Sequence, residues 1–174
     1  MADGGLYFAY GSNINLDQMS YRCPDACVVG PVSLENYELL FRRGGFATIA
    51  PCEGGKVHGL LWSLTPECER SLDRYEGYPR FYDKRMVTVR DGLGRELSVM
   101  AYIMDERFRE PMLPSTTYYN GILDGYRQNG LPVAALKKAW DHAVREVRQG
   151  TERINAIFAG RVMPPKKGIK PYER

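Results

Sequence analysis

The sequence lacks any long apolar run. No stretch approaches the roughly 18 consecutive apolar residues that a helix needs to span a bilayer. The first residues also lack the basic start and the apolar segment that are typical of a secretory signal peptide. We therefore expect a cytoplasmic protein that has no membrane partner.

Neither sign of charge is in large excess. The 174 residues include 24 Lys and Arg and 21 Asp and Glu, which gives a formal net charge of +3. The two signs are interleaved along the chain, whereas a protein that neutralises many phosphates carries a concentrated basic patch. The sequence therefore predicts no nucleic-acid partner.

Histidine is scarce, and the four cysteines are scattered. Only His58 and His142 could join them at a metal. The closest cysteines, Cys23 and Cys27, are separated by three residues, whereas common zinc and redox motifs have two. We expect free thiols that act as small apolar residues in a reducing compartment, and no metal site.

The remaining composition is that of an ordinary folded domain. Hydrophobic residues make up 44% of the chain and charged residues 26%, close to globular averages. No internal repeat or low-complexity tract interrupts it. The length suits one domain, which we predict over residues 1–162. A Pro/Lys-rich tail, MPPKKGIKPYER, follows at 163–174.

Short runs of β-branched and aromatic residues, punctuated by Gly and Pro, predict strands followed by helices. Helices are predicted from caps and from apolar spacing. This order, without strict alternation, favours an α+β fold with a mostly antiparallel sheet or small barrel. The predicted strands cover 6–10, 38–41, 47–50, 57–64, 84–89 and 97–104, and the predicted helices cover 66–76, 115–128 and 132–148.

The first predicted strand stops abruptly in Gly11, Ser12 and Asn13, just before a helix start at Asn15. Such a turn can present several consecutive main-chain N–H groups on one concave side. That arrangement suits a carboxylate, a phosphate or a developing oxyanion. The alternative is a plain Gly-Ser-Asn turn that only caps the helix.

Glu76 is placed unfavourably for a purely structural carboxylate. It occupies the last turn of the predicted helix, where the negative end of the macrodipole disfavours an ionised acid. Aromatic residues surround it in the sequence, and we expect them to desolvate the acid and raise its pKa. Both effects favour proton transfer. The alternative is an exposed glutamate, or one paired with Arg74 or Arg80.

Four segments resemble the γ-glutamylcyclotransferase family in order and spacing. YFAYGSN followed by Ile14 is similar to its N-terminal signature, and LDRYEGYPRFYDKRMV at 72–87 to its catalytic segment. Two further segments, PDACVVGPVSLENYELLF at 24–41 and PSTTYYNGILDGYRQNGLP at 114–132, also match. The resemblance implies a small, mixed, mostly antiparallel β-barrel, partly open, with surrounding helices.

The resemblance also implies an activity and a site. The family releases 5-oxoproline and an amine or amino acid from a γ-glutamyl substrate by intramolecular aminolysis. Glu76 aligns with the catalytic glutamate, which would serve as both base and acid. No step needs a metal or another cofactor. The residues implied to bind substrate are Tyr10, Gly11, Ser12, Asn13, Ile14, Tyr82 and Tyr118, with Tyr119 a weaker candidate.

Several alternatives stay open from the sequence. The chain could be a binding module that uses the same pocket to hold a small acidic metabolite. Asp73 lies near Glu76, as in a glycosidase pair, but we expect it to face solvent or cap a loop. Arg42 and Arg43 could contact a carboxylate of the leaving group or simply be solvated. Both a monomer and a homodimer are compatible with the family.

Overall fold

The computed structural model of the chain describes residues 5–160, which form a five-stranded barrel with helices packed around it. The tail predicted at 163–174 lies outside the described residues. In chain order the strands and helices are β1 (Gly5–Ala9), α1 (Leu16–Arg22), β2 (Cys27–Arg42), β3 (Phe46–Leu64), α2 (Pro66–Glu76), β4 (Tyr82–Asp91), β5 (Glu96–Met104), α3 (Thr116–Gln128) and α4 (Val133–Gly160).

The barrel is closed, so the prediction of a partly open one is wrong. Its strand order is β1-β3-β2-β4-β5, and β5 returns to β1. Four of the five strand pairs are antiparallel, and the closing pair of β1 with β5 is parallel, with Tyr7 opposite Met100. The prediction of an α+β fold with a mixed, mostly antiparallel barrel is confirmed.

Strands β2 and β3 form one long hairpin, and three of the predicted strands lie within it. Between the predicted strands 47–50 and 57–64 lie Gly54 and Gly55, which were predicted to separate two strands. Glu35 pairs with Lys56 and Tyr37 with Pro51, so residues 52–55 of β3 bulge opposite the single residue Asn36, and the pairing resumes on both sides. A Cβ at Gly55 would lie 2.4 Å from the carbonyl oxygen of Tyr37, so glycine allows this close approach.

Helix α2 has the predicted limits. The Thr65 hydroxyl accepts a hydrogen bond from the N–H of Cys68 at 3.1 Å, and Pro66 occupies the first helical position. Gly77 ends the helix in the left-handed conformation with φ of 65°. Glu76 is therefore the last residue of α2.

Helix α4 is longer than predicted. Leu136, Ala139 and Ala143 face the core, and the Trp140 ring packs on Tyr119 with centroids 5.0 Å apart. Beyond Arg148 the helix continues to Gly160, and every residue of 151–160 is exposed. The predicted end at 148 marks only where the apolar stripe leaves the barrel. No helix within 5–160 has the length and apolar character needed to cross a bilayer.

Candidate active site

A cavity of about 230 Å³ lies at one end of the barrel, between the end of β1 and the end of α2. Tyrosines dominate its wall, and Glu76 is the only acidic residue that residues 5–160 contribute to it. The residues that line it are Tyr7, Tyr10, Gly11, Ser12, Asn13, Phe46, Ala47, Tyr75, Glu76, Phe81, Tyr82, Tyr102 and Tyr118.

The turn after β1 forms one wall. The N–H groups of Ile14 and Asn15 close the turn on the carbonyl oxygens of Gly11 and Ser12, each at 3.1 Å. The preceding N–H groups, those of residues 11–13, donate to no acceptor within 5–160. A ligand in the cavity could therefore use these donors, as the sequence analysis expected.

Gly11 keeps the cavity open at this turn. A Cβ at this position would lie 3.2 Å from the Cβ of Ala47 and 3.5 Å from the Tyr118 hydroxyl. The first contact is tighter than most real methyl contacts, and the second lies on the cavity wall. Any larger residue would therefore press on β3 and occupy space beside Tyr118.

Asn13 links the turn to the carboxylate. Its Nδ2 donates to Glu76 Oε1 and to the hydroxyl of Tyr7, both at 2.9 Å. Its main-chain carbonyl accepts a hydrogen bond from the Trp62 indole at 3.0 Å. The side chain of Asn13 is thus held from the barrel side and faces Glu76.

Glu76 has a strongly perturbed environment. Burial raises the pKa of its carboxyl from 4.5 to about 7, because the charged form is poorly solvated there. The hydrogen bond from Asn13 and the charge of Arg22 act in the opposite direction, but they are smaller. No ion pair involves Glu76 within 5–160, so pairing with Arg74 or Arg80 is not found there. At neutral pH the carboxyl can both accept and release a proton.

Four of the six tyrosines that line the cavity fall into two pairs by their hydrogen bonds. Tyr10 donates to the carbonyl oxygen of Tyr102, and Tyr82 donates to that of Ala47 at 2.6 Å, so each has used its only O–H donor. By contrast, the hydroxyls of Tyr7 and Tyr118 accept hydrogen bonds, from Asn13 and from the N–H of Ala47.

The two pairs of tyrosines therefore differ in the hydrogen bonds that they can make to a ligand. Burial raises the pKa of Tyr7, Tyr10, Tyr82 and Tyr118, so all four stay protonated at neutral pH. Tyr7 and Tyr118 can still donate their O–H to a ligand, whereas Tyr10 and Tyr82 can only accept from one. Tyr119 points away from the cavity, into the contact with Trp140.

Of the residues predicted to bind substrate, all line the cavity except Ile14 and the weaker candidate Tyr119. Ile14 is fully buried beneath the turn. A Cβ at Gly125 of α3 would lie 2.9 Å from Ile14 Cγ2, which shows how closely the two pack. Ile14 therefore anchors the turn to α3 and has no surface in the cavity.

Two further expectations are wrong. Asp73 faces neither solvent nor a loop: it accepts a hydrogen bond from the Tyr102 hydroxyl at 2.6 Å and pairs with Lys84 at 2.8 Å. Arg42 is neither solvated nor free to bind a leaving group, because its guanidinium donates two hydrogen bonds, of 2.8 and 3.1 Å, to the carboxylate of Glu146 in α4. Both side chains are held by structural partners and do not line the cavity.

Several residues of the cavity wall were not predicted from the sequence. Tyr7 alternates with Ala9 along β1, and this period of two could have indicated that it faces the same side as Gly11. Phe46, the first residue of β3, and Phe81, which directly precedes β4, were not predicted, and their rings are 6.1 Å apart at the cavity. Arg22 lies behind the wall, where it donates to Ser12 and Asn13, and it gave no local signal because α1 meets the turn only in the folded chain.

A buried acid with a near-neutral pKa, facing free main-chain donors in a small cavity, defines a class of protein: an enzyme that moves protons on a small molecule. The comparisons with known proteins agree. The family model described as gamma-glutamyl cyclotransferase, AIG2-like, matches residues 7–120. The chain belongs to this family.

Individual relatives support the same assignment. The chain is 33% identical over 144 residues to a gamma-glutamylcyclotransferase of Bos taurus, which covers 76% of each protein. It is 32% identical to that of Homo sapiens, with the same coverage. A solved gamma-glutamyl cyclotransferase structure superposes with a TM-score of 0.71 at 30% identity, covering 78% of this chain and 86% of that one. The prediction of a γ-glutamylcyclotransferase is confirmed.

Proposed function

We propose that the protein releases 5-oxoproline and a free amine or amino acid from a γ-glutamyl compound. The α-amine of the glutamyl group attacks its own γ-carbonyl carbon. A new C–N bond closes the five-membered ring, and the original γ-amide C–N bond breaks. The leaving nitrogen takes up the proton that the amine lost, so the reaction is balanced without an added group.

Glu76 is the proposed proton carrier. An α-amino group is protonated below about pH 8, so the attack needs a base. A carboxylate with a pKa of about 7 is ionised often enough to accept that proton. Once protonated, it is acidic enough to deliver the proton to the leaving nitrogen. The position of Glu76 at the cavity wall carries this proposal.

The turn after β1 is the proposed cradle for the substrate oxygens. The unused N–H groups of residues 11–13 would stabilise the α-carboxylate or the negative charge that develops on the γ-carbonyl oxygen. Tyr7 and Tyr118 supply additional donors. Because nucleophile and carbonyl belong to one molecule, holding the glutamyl chain bent removes much of the remaining barrier.

The size of the cavity supports a small glutamyl group as ligand. Its volume of about 230 Å³ is below the roughly 300–1,000 Å³ of pockets for drug-sized ligands. We place the reaction in the cytoplasm, a proposal supported by the four cysteines, which are free thiols in the described structure. The alternative of a binding module for a small acidic metabolite is disfavoured, because a carboxylate such as Glu76 beside an acidic ligand would not strengthen binding.

The test is 5-oxoproline release from a panel of γ-glutamyl amino acids and γ-glutamyl amines. Wild-type protein should release it from at least one compound, and Glu76→Gln should lower kcat by at least about 100-fold at unchanged thermal stability or better. Glu67→Gln, which changes an exposed glutamate of the same helix, is the matched control and should keep full activity. Binding without release by the wild type would support the binding module and overturn the proposal.

A further inference from the structure

Arg22, the last residue of α1, is the only arginine that contacts the turn after β1 through its guanidinium within the described residues. Its Nη1 donates to Asn13 Oδ1 at 2.8 Å and to Ser12 Oγ at 3.1 Å. Its Nη2 donates to Gln18 Oε1 at 2.8 Å, which ties it to its own helix. One planar group therefore holds two consecutive side chains of the turn.

The guanidinium is also fixed from its face. It stacks on the ring of Tyr75, with Cζ 3.9 Å from the ring centroid. Tyr75 directly precedes Glu76 in α2, and its hydroxyl lies 3.3 Å from Ser12 Oγ. Arg22 thus joins the end of α1 to the turn and to the end of α2, and it is half-buried in that position.

The charge of Arg22 has no carboxylate partner in 5–160, since no ion pair there includes it. An arginine can only donate hydrogen bonds, so the atom of Asn13 that faces Arg22 must be the acceptor Oδ1. The Nδ2 group must then face the opposite way, toward Glu76. If the amide were reversed, two donors would meet at Arg22 and an oxygen would face the carboxylate.

We propose that Arg22 is a positioning residue for the cyclotransferase reaction: it fixes the Asn13 amide so that Nδ2 faces Glu76 and holds the carboxyl toward the substrate. The inference rests on the proposed function. Arg22 touches neither the cavity surface nor the reacting atoms, and it acts through Asn13. A rotated Asn13 would release Glu76 Oε1 and place a repelling oxygen beside it.

The same arrangement predicts a change in the pH profile. The groups that face Glu76 are Arg22 from α1, Tyr7 from β1, Tyr10 just after β1, Tyr82 from β4 and Tyr118 from α3. The four tyrosines are neutral near pH 7, so Arg22 supplies the positive charge in this set. Its removal raises the pKa of Glu76 and moves the acid limb of kcat/KM to higher pH.

The test compares kcat, KM and the acid limb for wild type, Arg22→Gln, Arg22→Lys, Asn13→Ala and the double variant Arg22→Gln/Asn13→Ala. We expect Arg22→Gln to lower kcat by at least about tenfold with a smaller change of KM, because the acid is misplaced. Its acid limb should lie at higher pH. Arg22→Lys keeps the charge, so its acid limb should return toward that of the wild type.

The double variant decides whether Arg22 acts through Asn13. Its kcat should lie within about threefold of that of Asn13→Ala, since an amide that is absent cannot be turned. Arg70→Gln, an exposed arginine of α2, is the matched control and should change neither kcat nor the acid limb. Should Arg22→Gln fail to fold in a thermal melt, Arg22→Lys with Asn13→Ala carries the same non-additivity test.

Two results would overturn the inference while leaving the proposed function intact. In the first, the wild type is active and Glu76→Gln is not, but Arg22→Gln has the same kcat and the same acid limb of kcat/KM as the wild type. The other is fully multiplicative losses in the double variant. A wild type that releases no 5-oxoproline would instead overturn the proposed function, and the inference with it.

Discussion

At the scale of single residues, the protonation of Glu76 couples folding to pH. Its pKa is about 7 in the folded protein and near the ordinary value of 4.5 in the unfolded chain. The folded state therefore binds the proton more tightly, and its stability falls as pH rises from 4.5 through 7. Above pH 7 both states are ionised, and the full cost of the buried charge is present.

Glu76→Gln removes this cost. We predict that the gain in the free energy of unfolding, variant over wild type, is about 2 kcal/mol larger at pH 8 than at pH 5. Urea titrations at both pH values measure it. Glu67→Gln is the control, because a hydrogen bond from its own helix N-terminus and one from Arg70 hold the pKa of Glu67 below its usual range. Its effect should be equal at both pH values, and an equal effect for Glu76→Gln would contradict the prediction.

The site was predictable from sequence where the chemistry is local. Glu76 was identifiable because a helix end and aromatic neighbours are both visible along the chain. The turn of residues 11–13 was identifiable because its residue types stop a strand. Ile14 was placed wrongly, since an aliphatic residue beside a site looks the same whether it faces the cavity or the core. The partnership of Arg22 with Asn13 depends on how α1 crosses the turn.

At the scale of elements, α3 holds the turn in place by close contact. Asn15 Nδ2 donates to the carbonyl oxygen of Gly121 at 2.8 Å, and Asn129 Nδ2 donates to that of Ile14 at 2.9 Å. A Cβ at Gly125 would lie 2.8 Å from the main-chain N of Asn15. The helix therefore approaches the turn backbone to backbone at this glycine.

Gly125→Ala should separate α3 from the turn. Because the added methyl group meets main-chain atoms that cannot move aside, we predict a loss of about 1–3 kcal/mol in the free energy of unfolding, together with reduced kcat/KM. Gly121→Ala is the matched control on the same helix. Its Cβ would meet only the end of the flexible Gln18 side chain, at 2.6 Å.

Urea unfolding of the two variants measures the difference. Gly121→Ala should be close to wild type or gain part of the roughly 1 kcal/mol by which Ala exceeds Gly in a helix. Equal stabilities of the two variants would show that the close approach at Gly125 does not constrain the turn.

The elements were predictable where start and stop signals are sharp. Helix α2 has a Thr cap, a Pro and a terminal Gly, and its limits were predicted correctly. Strands β2 and β3 were predicted only in pieces, because the bulge of residues 52–55, which contains Gly54 and Gly55, interrupts the apolar pattern without ending the hairpin. The end of α4 was missed since the helix continues beyond Val147, the last of its residues that is even partly buried.

At the scale of the whole molecule, an ion pair fastens α4 to the barrel. Arg42 of β2 and Glu146 of α4 are mostly buried, with side-chain exposures of 12% and 25%. His142 lies between Glu38 and Glu146, at 3.4 and 3.7 Å. The cluster bridges the helix and the outer face of the hairpin, away from the cavity.

Glu146→Gln should therefore destabilise the fold without changing the chemistry. We predict a loss of about 1–2 kcal/mol in the free energy of unfolding, between the values of exposed and buried pairs, because the Arg42 charge loses its partner. The value of kcat/KM for the best substrate should stay within about twofold. Asp141→Asn, which breaks the exposed pair with Lys137 on the same helix, should cost less than about 0.5 kcal/mol.

The closed barrel was only partly predictable from sequence. Local patterns indicated strands and a mostly antiparallel sheet, and the family resemblance supplied the barrel. Closure depends on β1 pairing in parallel with β5, through Tyr7 and Met100. These residues lie far apart along the chain, and neither carries a local signal for the other.

The cavity wall is drawn from distant parts of the chain: the turn of residues 11–13, Glu76 and Tyr118 of α3. During synthesis the N-terminal turn leaves the ribosome first, and α3 follows only after all five strands. A nascent chain that ends before residue 116 therefore lacks one side of the pocket. The turn of residues 11–13 is synthesised early, but its cavity is complete only once α3 has been added. We therefore expect catalytic activity to appear only when the domain is complete.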